Sequence, residues 1–371
     1  ERSRGLGDVY KRQMQILARL MDHVLTERGE RLMIAGATSG DTGGAALEAF
    51  KTCDGIETFF MFPDGKVSDF QRRQMTTVGA DNCHALAIDG SFDDCQTMVK
   101  DMFANQAFAS RVKLSAVNSI NWGRVMAQVV YYFTAATALG APEQKVSFTV
   151  PTGNFGDIYA GYVAKQMGLP IDRLVIATNE NDILARTLAT GNHKLGSVKA
   201  TITPSMDIQI SSNFERLLFE AAGRDSTMVR DLMAALKHDH NYSLPDEMLK
   251  FIRESFDAGA VSEVETVEEV ARIFRDTGYI ADPHTAIAVK VAHDYADPEV
   301  PMVTLSTAHP AKFPDTVHDA TGKTAHPPVW GDIPGERSES VAYLANDRAC
   351  VEEYMLKHSR LGLEAYQSRT A

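Results

Sequence analysis

Three short segments of this sequence concentrate small and hydroxyl-bearing residues where an apolar run gives way to a helical pattern. The first is Ala37-Thr38-Ser39-Gly40-Asp41-Thr42-Gly43-Gly44. Glycines let a backbone approach a ligand closely. The helix start that follows offers unpaired N–H groups and the positive end of a dipole to an anion. Ser39 and Thr42 add hydroxyl donors, although plain helix capping by Thr38, Ser39 or Asp41 accounts for the same residues equally well. No Gly-Lys-Ser/Thr follows, so the segment is not a P-loop. The second is Pro151-Thr152-Gly153-Asn154-Phe155-Gly156-Asp157. Its glycines free the loop and its amides suit a phosphate, with a tight turn capped by Asp157 as the alternative. Two such loops in one chain point to a phosphorylated ligand. The third, Ser306-Thr307-Ala308-His309-Pro310-Ala311-Lys312-Phe313, puts hydroxyls at a strand end, able to donate to or accept from a ring nitrogen. A structural role serves His309 and Lys312 as well as a catalytic one, and neither is assigned.

Two further strings lie outside these exits. Asn118-Ser119-Ile120-Asn121-Trp122-Gly123-Arg124 opens an apolar helix, and Arg124 suits a bidentate hold on phosphate or carboxylate, an exposed salt bridge being the alternative. Asp282-Pro283-His284-Thr285 precedes a helix at 286–295, which Asp282 or Thr285 would cap.

Holding such segments in place is the work of parallel strands, because ligands of open α/β sheets bind beyond the carboxyl ends of the strands. The pattern supplies them. Segments 32–37, 58–62, 84–88, 113–116, 146–150, 174–178 and 301–306 read as strands, with helical stretches between them. Met14, Leu17, Leu20, Met21, Val24 and Leu25 recur at helical spacing on one face, and Gly29 stops that helix. Segments 42–51, 125–139 and 158–167 are predicted helices, and helical patterns dominate from 213 to 276. Tyr131, Tyr132 and Phe133 are expected in the core. The alternation implies an α/β protein with mostly parallel sheets covered on both faces.

The chain has 371 residues, 44% hydrophobic and 23% charged, which suits a globular protein of about two domains. A net charge of −12 argues against nucleic acid and anionic membrane as partners, but leaves room for a small anionic substrate. Cys53, Cys83, Cys95 and Cys350 lack metal-site spacing, so neither a disulfide framework nor a metal site is expected, and the cytoplasm is the expected compartment. No apolar run approaches the roughly 20 residues of a membrane span, and no signal peptide is recognisable.

Ala-Thr-Ser-Gly-Asp-Thr-Gly at 37–43, Asn-Ser-Ile-Asn-Trp with Arg124, and Pro-Thr-Gly-Asn-Phe-Gly-Asp at 151–157 resemble threonine synthase. Ser211-Ser212-Asn213-Phe214-Glu215-Arg216, Asp282-Pro283-His284-Thr285 and Thr307-Ala308-His309-Pro310-Ala311-Lys312-Phe313 continue the likeness in the same order, from about Met14 to near His358. The resemblance implies the fold-type-II (tryptophan synthase beta-like) architecture of pyridoxal 5'-phosphate (PLP) enzymes, two parallel-sheet α/β domains facing across the cofactor. The smaller domain, at 14–140, would carry the substrate loop, 141–330 the cofactor, and 331–371 would be an extension packed on the core. Gly153, Asn154, Phe155, Gly156 and Asp157 would hold the cofactor phosphate. Relatives often have Asn at position 157, which weakens Asp157 as a direct phosphate contact. Thr307 would meet the pyridine nitrogen, leaving it unprotonated. Thr38, Ser39, Asp41 and Thr42 would face the amino-acid end of the substrate, and Asn118, Ser119, Asn121 and Arg124 its phosphate end.

The implied reaction converts O-phospho-L-homoserine and water to L-threonine and phosphate, in a monomer or homodimer. Alternatives are another fold-type-II lyase, an amino-acid dehydratase or cysteine synthase-like enzyme, or a non-catalytic PLP- or phosphate-binding relative. One departure stands out. The family carries its Schiff-base lysine in an Ala-Phe-Lys-Asp string just before the helix that begins at Met14. Gapless register places that lysine on Tyr10, with Lys11 one position away. Residues 1–13 are polar, aperiodic and similar to translated adapter read-through, and they are read as a non-native tail. The expectation is a chain truncated at its N-terminus, with no catalytic lysine assigned and no activity of its own.

Overall fold

The structure is a computed structural model that describes residues 12–38, 40–326 and 337–360. Most of the tail with Tyr10 and Lys11, Ser39, the side chain of Asp41, and parts of the 331–371 extension therefore lie outside the described residues. The described residues form two compact units, one of 12–124 with 337–360 and one of 125–326. No helix among the described residues is long and apolar enough to cross a membrane.

The first unit is built on parallel strands β1 (Leu32–Ala37), β2 (Ile56–Pro63), β3 (Cys83–Asp89) and β4 (Leu114–Ser115). Strand Ala342–Ala345 closes the β3 edge, giving the order Ala342–Ala345, β3, β2, β1, β4. The central strand β2, Ile-Glu-Thr-Phe-Phe-Met-Phe-Pro, is buried at every position, as a parallel strand covered on both faces must be. Its side chains alternate. Phe60 and Phe62 join a core with helices Arg12–Arg28 and α1 (Asp41–Phe50), while Phe59 and Met61 pack with Met98, Met102, Val351 and Met355. In helix Arg12–Arg28 the buried stripe is Met14, Leu17, Ala18 and Leu25, narrower than the sequence pattern suggested. Leu20 and Val24 are exposed with Ile16 on a second stripe, four residues apart. The predicted strand at 113–116 shrinks to two edge residues.

The second unit has β5 (Val146–Pro151), β6 (Ile171–Thr178), an antiparallel pair β7 (Asn192–Lys194) and β8 (Asn241–Ser243), β9 (Phe256–Ala260) and β10 (Met302–Thr304). Its parallel sheet runs β10, β5, β6, β9. Helices α2 (Trp122–Ala138), α3 (Gly156–Gln166) and α4 (Phe214–Ala221) cover the face carrying Phe148, Val150, Leu174 and Ile176. Helix α5 (Pro283–Asp294) covers the face carrying Val175 and Ala177. Tyr132 is fully buried, and Tyr131 and Phe133 pack partly buried on the same core. The sequence pattern missed the short pair β7 and β8, the latter within the stretch read as helical, and also β9 and Ala342–Ala345. Phe-Asp-Ala-Gly-Ala and Ala-Tyr-Leu-Ala are too short and too poor in β-branched residues to signal a strand, and the neighbouring strand imposes their conformation.

Candidate active site

At the exit of β1, Thr38 is buried and its hydroxyl accepts from the N–H groups of Gly40 and Gly43, both at 2.9 Å. It therefore caps α1 from two residues upstream, satisfying one of the donors that a helix start leaves open. Thr42 lies half-buried in the first turn. Thr38→Val is expected to destabilise the protein by about 1–2 kcal/mol, read as a lower melting temperature; an unchanged melt would show the cap to be dispensable.

Asn118 is exposed, and Ser119 and Asn121 are half-buried in the turn that opens α2. Asn121 Oδ1 accepts from the N–H of Gly123 at 2.9 Å, and its Nδ2 donates to the Ala116 carbonyl at 3.3 Å. Arg124 is buried rather than an exposed ion-pair partner, and its Nη1 donates to the Val117 carbonyl at 3.1 Å. These four residues and Thr38 all belong to the first unit.

In the second unit, β5 and β10 are parallel neighbours with Thr149 opposite Thr304, so their exits open side by side at the carboxyl end of the sheet. Thr307 sits exposed beyond β10. Behind it, Thr285 Oγ1 donates to Asp282 and approaches Ser306 Oγ at 3.3 Å. Asp282 also accepts from the N–H of His284 at 2.9 Å and meets its Nδ1 at 3.1 Å, so it caps α5 and fixes the imidazole. The buried Nε2 of His284 has no hydrogen-bond partner among the described residues. His309 Nδ1 accepts from the Ala311 N–H at 3.1 Å, capping the turn at Pro310–Lys312, and Lys312 is buried.

The β5 exit is the most constrained of the three. Gly153 passes so close to Ser205 that a Cβ would lie 2.4 Å from its carbonyl oxygen. Phe155 takes a left-handed conformation, φ 62°, and its buried ring packs against Phe214 at 5.2 Å and Phe256 at 5.7 Å. A bulky residue adopts that conformation only where its surroundings hold it. Helix α3 begins at the next residue. Among the described residues, nothing accepts from the N–H groups of Asn154 and Phe155. Asp157, in the first turn of α3, accepts from Tyr132 Oη at its carbonyl at 2.8 Å and, more loosely, at Oδ1 at 3.4 Å. Burial pushes its carboxyl up to about 7, the Tyr132 hydroxyl offsetting part of the shift. A loop of backbone donors ahead of a helix start, with its one carboxyl held near neutrality, fits a phosphate monoester.

Sequence reasoning placed no role on Ser211-Ser212-Asn213, yet this string lies directly against the loop. Ser211 Oγ donates to the Gly153 carbonyl at 2.7 Å, and Ser212 Oγ to Asn154 Oδ1 at 3.2 Å. The Asn154 carbonyl accepts from Asn213 through its N–H at 3.1 Å and its Nδ2 at 2.9 Å. The advance signals were its place among the motifs shared with threonine synthase, which carried no role, and a run of hydroxyl and amide side chains just before a helix.

Comparison with known proteins places these features in a family. The family described as "Pyridoxal-phosphate dependent enzyme" matches residues 12–237, and "Threonine synthase, C-terminal" matches 285–355. A threonine synthase of Pseudomonas aeruginosa is 50% identical over 352 residues, covering 94% of this chain and 75% of the relative. The threonine synthase of Saccharomyces cerevisiae is 42% identical over 312 residues, covering 78% of this chain and 60% of the relative. Among solved structures, PLP-bound threonine synthase from Brucella melitensis aligns with a TM-score of 0.92 at 56% identity, over 94% of this chain and 75% of that one. An O-acetylserine-dependent cystathionine beta-synthase from Helicobacter pylori aligns with a TM-score of 0.53 at 14% identity, a likeness of fold alone. That contrast favours the threonine synthase reading over a dehydratase or cysteine synthase-like one. The chain belongs to the threonine synthase family of PLP-dependent, fold-type-II enzymes.

Proposed function

We propose that this chain carries the binding framework for conversion of O-phospho-L-homoserine and water to L-threonine and phosphate, and that the loop Gly153 to Asp157 holds the phosphate of PLP. The observation that carries this reading is the cradle of backbone donors at the β5 exit, with the N–H groups of Asn154 and Phe155 accepted by nothing among the described residues. Bound there, PLP supplies an electron sink for carbanions of an amino-acid substrate. Gly156 and Asp157 add the start of α3, whose dipole favours the dianion. Thr307 offers the pyridine nitrogen an uncharged hydroxyl, which keeps that nitrogen unprotonated. Thr38, Ser39, Asp41 and Thr42 bind the amino-acid end of the substrate. The Thr38 hydroxyl already accepts twice from backbone, so it acts on a carboxylate by donating its one proton. Asn118, Ser119, Asn121 and Arg124 bind the phosphate end, where a buried guanidinium gives a stronger, less screened anion contact than an exposed one. The protein works in the cytoplasm as a monomer or homodimer.

Titrating the chain with PLP tests the cradle. Asn154→Ala is expected to weaken PLP about tenfold through loss of its amide, with the fold intact by circular dichroism. Unchanged affinity would overturn the assignment. Incubation with PLP and O-phospho-L-homoserine tests the chemistry. With Tyr10 in the register of the family's lysine, no threonine is expected from this chain, and turnover would show that Lys11 or another lysine serves as the mobile base.

A further inference from the structure

We infer that Ser211, Ser212 and Asn213 are positioning residues that hold the phosphate loop in its binding orientation before any ligand arrives; the inference rests on the reading of Gly153 to Asp157 as the cofactor's phosphate site. The direction of four hydrogen bonds carries it. Ser211 Oγ takes the Gly153 carbonyl, Asn213 takes the Asn154 carbonyl twice, and Ser212 Oγ takes Asn154 Oδ1. Every one of these bonds ends on an oxygen of the loop.

A trans peptide is planar, with its C=O and N–H pointing in opposite directions. Drawing the Gly153 carbonyl toward Ser211 therefore turns the Asn154 N–H to the other side. Drawing the Asn154 carbonyl toward Asn213 does the same for the Phe155 N–H. Anchoring Asn154 Oδ1 on Ser212 turns its Nδ2 away as well. Three oxygens, the groups that would repel a phosphate, are sequestered on one side of the loop, and three donors face the other.

The string is itself locked. Arg216 Nε donates to Asn213 Oδ1 at 3.1 Å, which fixes the amide so that Nδ2, and not Oδ1, meets the Asn154 carbonyl. Asn213 is fully buried at the start of α4. The next residue, Phe214, packs its ring edge-on to Phe155 at 5.2 Å and so supports the left-handed residue that closes the loop. Preorganisation of this kind raises affinity by removing the ordering that a floppy loop would need on binding.

The test is a set of PLP titrations of the full chain with Ser212→Ala, Asn213→Ala, Asn154→Ala and the double variant Ser212→Ala/Asn154→Ala. Ser212→Ala is expected to weaken PLP about fivefold and Asn213→Ala about tenfold, one hydrogen bond each. Because Ser212 acts through the Asn154 amide, its effect is expected to vanish in the Asn154→Ala background. The phosphorus NMR signal of bound PLP is expected to shift or broaden in Ser212→Ala, a change that a loss of global stability would not produce. If Asn154→Ala weakens PLP while both Ser212→Ala and Asn213→Ala bind like the parent, the positioning role is overturned and the phosphate site stands. Additive effects of Ser212→Ala and Asn154→Ala would also overturn it, since Ser212 would then act by another route. If Asn154→Ala and Ser212→Ala both leave affinity unchanged, the phosphate site itself falls. Should Asn213→Ala fail to fold, the Ser212 variants decide the matter alone.

Discussion

Gly153→Ala is expected to lower PLP affinity more than 100-fold and to destabilise the protein by about 1–3 kcal/mol, the range for forcing extra atoms into a packed site. The added Cβ would lie 2.4 Å from the Ser205 carbonyl oxygen, with the Ser205 carbonyl carbon and Met206 Cα at 3.4 and 3.5 Å. All three are backbone atoms, so no rotamer change relieves the contact. Nor does the opposing backbone yield easily. Met206 is buried in the core beneath α5, and the chain on either side of it is tied down by Asn179 Nδ2, which donates to Thr203 Oγ1 at 2.9 Å and Asp207 Oδ1 at 2.7 Å. The loop must move instead, and with it the carbonyls that Ser211 and Asn213 hold. A titration with PLP alongside a thermal melt separates the two effects. Parent-like affinity would mean that the loop can shift without consequence, which would remove the reason for a glycine here.

That close approach also marks the boundary of what the sequence discloses. Strands β1, β2, β3, β5 and β6 lie close to their predicted positions, because a buried parallel strand is a short apolar run and needs no partner to be recognised. The exits of β1 and β5 were legible for a related reason: helix starts and phosphate-sized turns use small and hydroxyl residues locally. What could not be read was which local feature serves which purpose. Thr38 caps α1 through Gly40 and Gly43, one of the two readings its sequence position allowed, whereas Arg124 is buried on the Val117 carbonyl seven residues away, where the sequence offered an exposed ion pair. In both cases the partner is local, but the turn that aims the side chain is not written in the residue types. Ser211-Ser212-Asn213 stands 58 or 59 residues from the carbonyls it holds, beyond the reach of any periodicity argument. Strand β9 is the same problem in a sheet: its partner β6 defines it, and its own side chains do not.

Asp157→Asn is expected to act in the opposite direction to the other substitutions, by strengthening the protein at alkaline pH. The sign follows from linkage. Burial raises the Asp157 carboxyl from 3.8 to about 7, so the folded chain holds this proton more tightly than the unfolded one. Stability therefore declines as pH rises from about 4 to 7, and the full deficit remains above that window. The rise from 3.8 to about 7 corresponds to roughly 4 kcal/mol, and the start of α3, which favours an anion, brings the expectation to about 2–3 kcal/mol. Asparagine keeps an oxygen for the Tyr132 hydroxyl and never ionises. Melting curves of parent and variant are expected to coincide near pH 4 and to separate by several degrees at pH 8, the variant being the more stable. PLP binding is expected to follow the same course. Above pH 7 the parent presents a carboxylate in the first turn of the helix proposed to receive the phosphate, whereas the variant presents an amide, so the variant is expected to bind more tightly there and the two to converge below pH 6. Parallel curves across the whole range, for both melting and PLP affinity, would mean that the carboxyl titrates normally and that its contact with Tyr132 is no more than a packing arrangement.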